Sequence, residues 1–121
     1  MARVNHFEIP ADQPERAAEF YKQVFGWSVR KWEGPQDYWL VSTGVTSEPG
    51  INGAIVRRTA VPTTTNTVVV HSLDEFAKRI TAAGGKVVSP VMPVPGQGYM
   101  AYCTDTEGNR FGIMEADPDA K

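Results

Sequence analysis

The chain has 121 residues, of which 41% are apolar and 21% charged, with a net charge of −2. That is enough for one domain, or two half-domains sharing a core, and it is far from a disordered composition. It excludes a basic nucleic-acid-binding stripe and an apolar run of the ~18 residues needed to span a bilayer; with Cys103 as the sole cysteine, it also excludes an internal disulfide and a cysteine-built zinc site.

The opening residues, MARVNHFEIP, lack the apolar stretch of a secretory signal, so a soluble, cytoplasmic protein is expected. Val4, His6 and Glu8 alternate with Asn5, Phe7 and Ile9 up to Pro10. This is strand period, and it sets His6 and Glu8 on one face, Phe7 and Ile9 on the other. Phe7 and Ile9 suit a packed face. His6 and Glu8 need a wet or ligand-lined one, because burying either without a partner is costly.

Asp12-Gln13-Pro14-Glu15 reads as a helix start, with Asp12 as cap and Glu15 completing a capping box. Ala17, Phe20, Tyr21, Val24 and Phe25 follow helical spacing as one apolar face, and Gly26 is the expected stop. Strands are expected over 27–32, 38–43 and 51–57, separated by Gly34-Pro35 and Pro49-Gly50.

After the polar connection 59–66 the pattern restarts. A β-branched strand over 67–70 leads to Ser72-Leu73-Asp74-Glu75, a second capping box displaced by 60 residues from the first. Leu73, Phe76, Ala77, Ile80 and Ala83 form the second helix's apolar face, and Gly84-Gly85 ends it. Strands over 86–90, 99–104 and 110–115 follow, the last two joined by a hairpin at 105–109. The order βαβββ thus occurs twice. The expected fold is α+β, a single domain of two tandem modules (about 3–58 and 67–116, linked by 59–66) forming a curved, half-open barrel with a ligand cup at the junction.

His6-Phe7-Glu8-Ile9, Ala18-Glu19-Phe20-Tyr21 with Val24-Phe25-Gly26-Trp27, Ala83-Gly84-Gly85-Lys86-Val87, and the run from Asp105 to Gly112 carry a family likeness. With the repeat, they make the chain resemble the vicinal oxygen chelate superfamily, which holds glyoxalase I, extradiol dioxygenases, methylmalonyl-CoA epimerase and the bleomycin and fosfomycin resistance proteins. The resemblance implies a divalent metal in the cup, held by ligands from the first and last strands of each half. Carried over position by position, it places His6 at a ligand position. It finds no His, Glu or Asp in 51–56, puts Thr67 (or Thr65) opposite His6, and puts Gly112 where the family's metal-bound Glu falls. Glu115 is three residues from Gly112 and is expected on the opposite face. His6 is therefore the only surviving ligand position. Catalytic sites of this kind use about three protein ligands, so no cofactor is expected, with a divalent metal on a shifted site as the alternative.

The candidate catalytic pair is His6 and Glu8, either as an acid–base pair or as a structural one. Candidate ligand contacts are His6, Trp39 and Tyr99. Tyr38 and Trp39 alternate, so one of them is expected to face the cup; Tyr99 and Tyr102 face opposite ways, with pocket lining by one of them or core packing as equal alternatives. His71 reads as a surface residue, Cys103 as a small buried side chain, Arg57 and Arg58 as solvated strand ends, and 93–98 as a plain turn rather than a phosphate loop.

The leading expectation is a glyoxalase- or bleomycin-resistance-like homodimer that binds a small organic molecule, without the usual metal and without nucleic-acid or membrane partners. The competing readings are a metal-dependent lyase, isomerase or dioxygenase using His6, and an interaction subunit with no small ligand.

Overall fold

A computed structural model describes residues 2–34, 36–59 and 63–121. Pro35 of the expected Gly34-Pro35 break, and residues 60–62 of the expected connection, lie outside the described residues. The contacts divide the chain into two compact units, His6–Thr65, and Asn66–Lys121 with the short segment before His6.

In the first unit, β1 (Arg3–Ala11), α1 (Pro14–Phe25), β2 (Ser28–Lys31), β3 (Tyr38–Ser42) and β4 (Asn52–Arg57) form the expected βαβββ order. The strands lie β2-β3-β4-β1, with β1 parallel to β4 and the other pairs antiparallel. Register fixes the faces. Phe7 and Ile9 pair with Gly53 and Ile55, and Trp39 and Val41 lie across from Ile55 and Gly53. This face packs on Ala17, Ala18 and Tyr21 of α1 as a core around Ile55, which is fully buried. His6 and Glu8 lie on the other face, beside Asn52 and Ala54.

The start of α1 differs from the expectation. Gln13 is the N-cap and makes no side-chain cap bond. The Arg58 backbone N–H donates to the Ala11 carbonyl at 2.9 Å, which brings the Arg58 side chain to Asp12, and its Nε reaches Oδ1 at 2.9 Å. Asp12 is thus an ion-pair partner rather than a cap. The helix ends as expected at Gly26, whose φ of 73° is left-handed.

The expected apolar face of α1 also divides. Pro14 and Ala18 are buried, whereas Phe20, Val24 and Phe25 stay 56%, 55% and 59% exposed. The small Ala17 and Ala18 let the helix lie close to the sheet. The large rings instead pack sideways on one another: Phe20 meets Tyr21 edge-on (5.2 Å), Tyr21 stacks on Trp27 (5.1 Å) and Phe25 lies tilted against Trp27 (5.4 Å).

The second unit repeats the scheme with β5 (Thr65–Val70), α2 (Leu73–Ala82), β6 (Lys86–Val87), β7 (Met92–Val94), β8 (Gly98–Thr104) and β9 (Arg110–Ala116). The order is β5-β9-β8-β6, and β7 also pairs with β8. The expected strand 86–90 stops at Val87. Beyond it, Val88 N–H still donates to the Tyr102 carbonyl at 2.8 Å, but Ser89 Oγ, in place of a carbonyl, accepts the Tyr102 N–H at 2.8 Å. Part of the expected turn 93–98 is strand, and the turn itself closes where Gln97 N–H donates to the Val94 carbonyl at 2.9 Å.

The Ser72 cap forms as expected, its Oγ accepting Glu75 N–H at 3.2 Å. Val70, Leu73, Ala101, Cys103 and Ile113 make this unit's core on the α2 side. The 105–109 hairpin is tied by the Asp105 carboxylate. It accepts from Glu107 N and Asn109 N at 2.8 and 2.9 Å and from Asn109 Nδ2 at 3.1 Å, and these bonds hold its pKa below the ordinary value.

Candidate functional site

His6 and Glu8 are half-buried on the sheet face of the first unit that α1 does not cover. The side chain that joins them is Tyr38, at the start of β3. His6 Nε2 lies 2.8 Å from the Tyr38 hydroxyl, and that hydroxyl donates to Glu8 Oε2 at 3.2 Å. The His6 and Tyr38 rings are nearly coplanar, 3° apart with centroids at 6.4 Å, and Trp32 meets the Tyr38 ring edge-on at 6.2 Å.

The hydrogen-bond inventory gives the chain a direction. A carboxylate only accepts, so the one Tyr38 proton goes to Glu8, and the hydroxyl oxygen then accepts from His6 Nε2–H. That leaves the lone pair on Nδ1, which makes no hydrogen bond among the described residues. Burial is the larger influence on His6 and lowers its pKa, against a smaller opposing pull from the Glu8 charge. The arrangement is a neutral imidazole oriented through its neighbour, with a carboxylate two bonds away to stabilise the protonated form.

Both aromatic ligand contacts expected from the sequence need correction. Trp39 is 4% exposed, in the α1-side core, with Lys31 Nζ and Arg57 Cζ 5.3 and 5.5 Å from its ring centroid. Tyr38, its neighbour in the alternation, is the residue beside His6. Tyr99 packs on the core shared by Ala101 and Cys103 under α2, and Tyr102 occupies the other face. In each case the strand's parity was read from the sequence, but the face the helix would cover was not. For Tyr99 a signal was present: Ala101 and Cys103, small and in phase with it, mark the side where a helix approaches closely.

The remaining candidates have structural surroundings. Exposed His71 meets Glu75 Oε2 at 2.9 Å, Arg57 Nε meets Asp37 Oδ2 at 2.8 Å, and Cys103 is fully buried. The hydrogen bond from Arg57, helped by the Lys31 and Arg57 charges, keeps the Asp37 carboxyl below its ordinary pKa. One feature was not foreseen, a shallow cavity of about 270 Å³ in the β3–β4 loop, lined by Thr43, Val45, Glu48, Pro49 and Asn52.

In the first unit, β4 brings Asn52 and Ala54 beside His6 and Glu8, and His6 Nε2 is engaged by Tyr38. In the second, Thr67 pairs with Gly112, which has no side chain, and Glu115 points the other way, its Oε1 accepting Leu73 N–H at the start of α2. Among the described residues, no group of three or more His, Cys, Asp or Glu side chains is placed to hold a metal ion. The donor set does not fit a three-ligand centre.

Residues 3–113 match the family model of the Glyoxalase/Bleomycin resistance protein/Dioxygenase superfamily. The chain belongs to this superfamily. A glyoxylase-like domain-containing protein from Didymella fabae is 28% identical to this superfamily member over 92% of the chain and 91% of that protein.

Solved structures share the fold at lower identity. Methylmalonyl-CoA epimerase in complex with methylmalonyl-CoA and NH4+ has a TM-score of 0.71 at 15% identity, covering 100% of this chain and 99% of that one. The epimerase from Mycobacterium tuberculosis has a TM-score of 0.68 at 14% identity, with 95% and 88% covered. A hypothetical protein from Bacillus halodurans C-125 has a TM-score of 0.72 at 11% identity, with 99% and 98% covered. At these identities the likeness establishes the α+β superfamily fold of two βαβββ modules, and one fold hosts many chemistries. No helix among the described residues is long and apolar enough to cross a membrane.

Proposed function

We propose that this superfamily member binds a small organic molecule on the His6 face of its first module without a metal, and that His6 is the group that touches it. The observation that carries the reading is the His6–Tyr38–Glu8 chain, with 2.8 and 3.2 Å links. It occupies Nε2, the nitrogen that faces Tyr38, and turns Nδ1 into the acceptor. If the ligand is transformed, the reaction within reach is proton transfer. Nδ1 takes a proton from an O–H or an activated C–H, the imidazolium is stabilised through Tyr38 by Glu8, and the proton returns to the product.

The donor set supports the metal-free part, since among the described residues no third donor joins His6 and Glu8. The epimerase solved with methylmalonyl-CoA suggests acyl thioesters for the ligand screen. A cytoplasmic homodimer completes the reading, and exposed Phe20, Val24 and Phe25 offer apolar surface for the second copy.

The test is elemental analysis of tag-free protein for Ni, Zn, Fe, Mn and Co before and after reconstitution, alongside His6→Ala. The reading expects metal well below one equivalent. It also expects thermal shifts with organic ligands, thioesters among them, that His6→Ala abolishes. Near-stoichiometric metal that His6→Ala removes overturns it in favour of a metal-dependent lyase, isomerase or dioxygenase. Light scattering at graded concentration tests the dimer.

A further inference from the structure

We infer that the second module carries an oxyanion-binding site centred on Arg110, for the carboxylate or phosphate group of a small organic anion. Every lysine and arginine of the chain is exposed except Arg110, which is half-buried. Its guanidinium carbon lies 3.8 Å from the centroid of the Tyr102 ring. Two other arginines also stack on rings, Arg57 on Trp39 and Arg79 on Phe76, but each also holds a carboxylate, Asp37 or Glu75. Arg110 stacks without one among the described residues. In the preceding hairpin, the Asp105 carboxylate accepts from Glu107 and Asn109.

A partly buried arginine that forms no ion pair among the described residues gains when an outside acceptor meets its guanidinium. Stacking on Tyr102 holds the planar fork in place and leaves its N–H edge for a bidentate oxyanion. The adjoining position adds a second donor. Gly112, two residues along the same face of β9, lies between Tyr102 on β8 and Thr67 on β5. Thr67 is 4% exposed, and its hydroxyl makes no hydrogen bond among the described residues. It leans over the bare Gly112, where a Cβ would come within 3.0 Å of Oγ1. A stacked cation, a hydroxyl that makes no hydrogen bond among the described residues and a side-chain-free floor make a small oxyanion site. It stands on the second module alone, so failure of the His6 reading would leave it intact.

The test is a titration followed by amide and arginine Nε–H resonances, with acetate, malonate and inorganic phosphate at constant ionic strength and acetamide as the uncharged control. The expected result is a saturable shift of Arg110 Nε–H and of the Thr67 and Gly112 amides with malonate or phosphate, and none with acetamide. Whichever anion binds more tightly names the ligand group. Arg110→Gln is expected to weaken binding about tenfold or more, and Thr67→Val by a smaller factor. A linear, unsaturated response in the wild type, or an Arg110 Nε–H that stays still while other groups saturate, overturns the site. So does a folded Arg110→Gln protein with unchanged affinity.

Discussion

The His6 ring and the Tyr38 hydroxyl meet at 2.8 Å across three strands, β1, β4 and β3, and the same hydroxyl goes on to Glu8. Because the hydroxyl has one proton, its donation to Glu8 settles which nitrogen of His6 carries hydrogen. Removing that hydroxyl therefore changes His6 as well as Tyr38. Tyr38→Phe is expected to destabilise the protein by about 1 kcal/mol, read from urea midpoints at constant slope. It should also remove the single-tautomer signature of His6 in long-range nitrogen–proton spectra. An unchanged tautomer would show that the hydroxyl does not orient the ring.

Burial lowers the His6 pKa in the folded state, whereas the unfolded chain keeps the ordinary value of 6.5. As pH falls, the unfolded chain takes up this proton first, so His6 costs no stability above 6.5 and a penalty grows below it until the lowered folded value is passed. Wild type should lose more stability between pH 7.5 and 5.5 than His6→Gln does. Glu8→Gln should depress the His6 pKa further, because it removes the charge that opposes desolvation. Equal pH dependence in wild type and His6→Gln would contradict the burial argument.

The two helix starts look alike in sequence and behave differently in the structure. Ser72 accepts a backbone N–H, so Ser72→Ala should cost about 1 kcal/mol. Asp12 caps nothing and forms an exposed pair with Arg58, so Asp12→Ala should cost at most about 0.5 kcal/mol. Thermal melts of the two variants side by side check the contrast, and equal losses would refute it.

Gly53 is required by a close approach. A Cβ there would fall 2.4 Å from the Phe7 carbonyl oxygen and 2.6 Å from its ring. Gly53→Ala should destabilise by about 1–3 kcal/mol, since strand backbone has to shift. Gly112→Ala, with its nearest contact at 3.0 Å to the Thr67 hydroxyl, should cost less. The ranking of the two by chemical denaturation is the measurement, and the reverse order would be inconsistent with the β1–β4 register.

Cys103 is fully buried, and desolvation raises its thiol pKa. The native protein should resist thiol labelling at neutral pH, and labelling in mild denaturant should follow the unfolding rate. Fast stoichiometric labelling of the native state would place the thiol outside the α2-side core.

The duplication, the α+β class and the strand alternation that puts His6 opposite Phe7 are legible in the residues alone. Those are local properties, set by side-chain period, by glycine at helix ends and by the Ser72 cap, and each is written within a few residues. The sequence also showed that Gly112 brings no donor and that Glu115 lies on the other face. It was silent on which face of a strand the helix covers when both faces are apolar or aromatic. In Tyr38-Trp39-Leu40-Val41 both phases look like core, and only the pairing of Trp39 with Ile55, under α1, decides that Trp39 is buried and Tyr38 meets His6. At Tyr99 and Tyr102 the small Ala101 and Cys103 did mark the helix side, and the core under α2 lies there. Asp12 shows the limit at the helix end, where a capping pattern lost to Arg58, a residue 46 positions away that the β1–β4 pairing brings alongside. Contacts between residues distant in the chain depend on register and on which helix packs where, and these are set only when the whole unit buries its core at once.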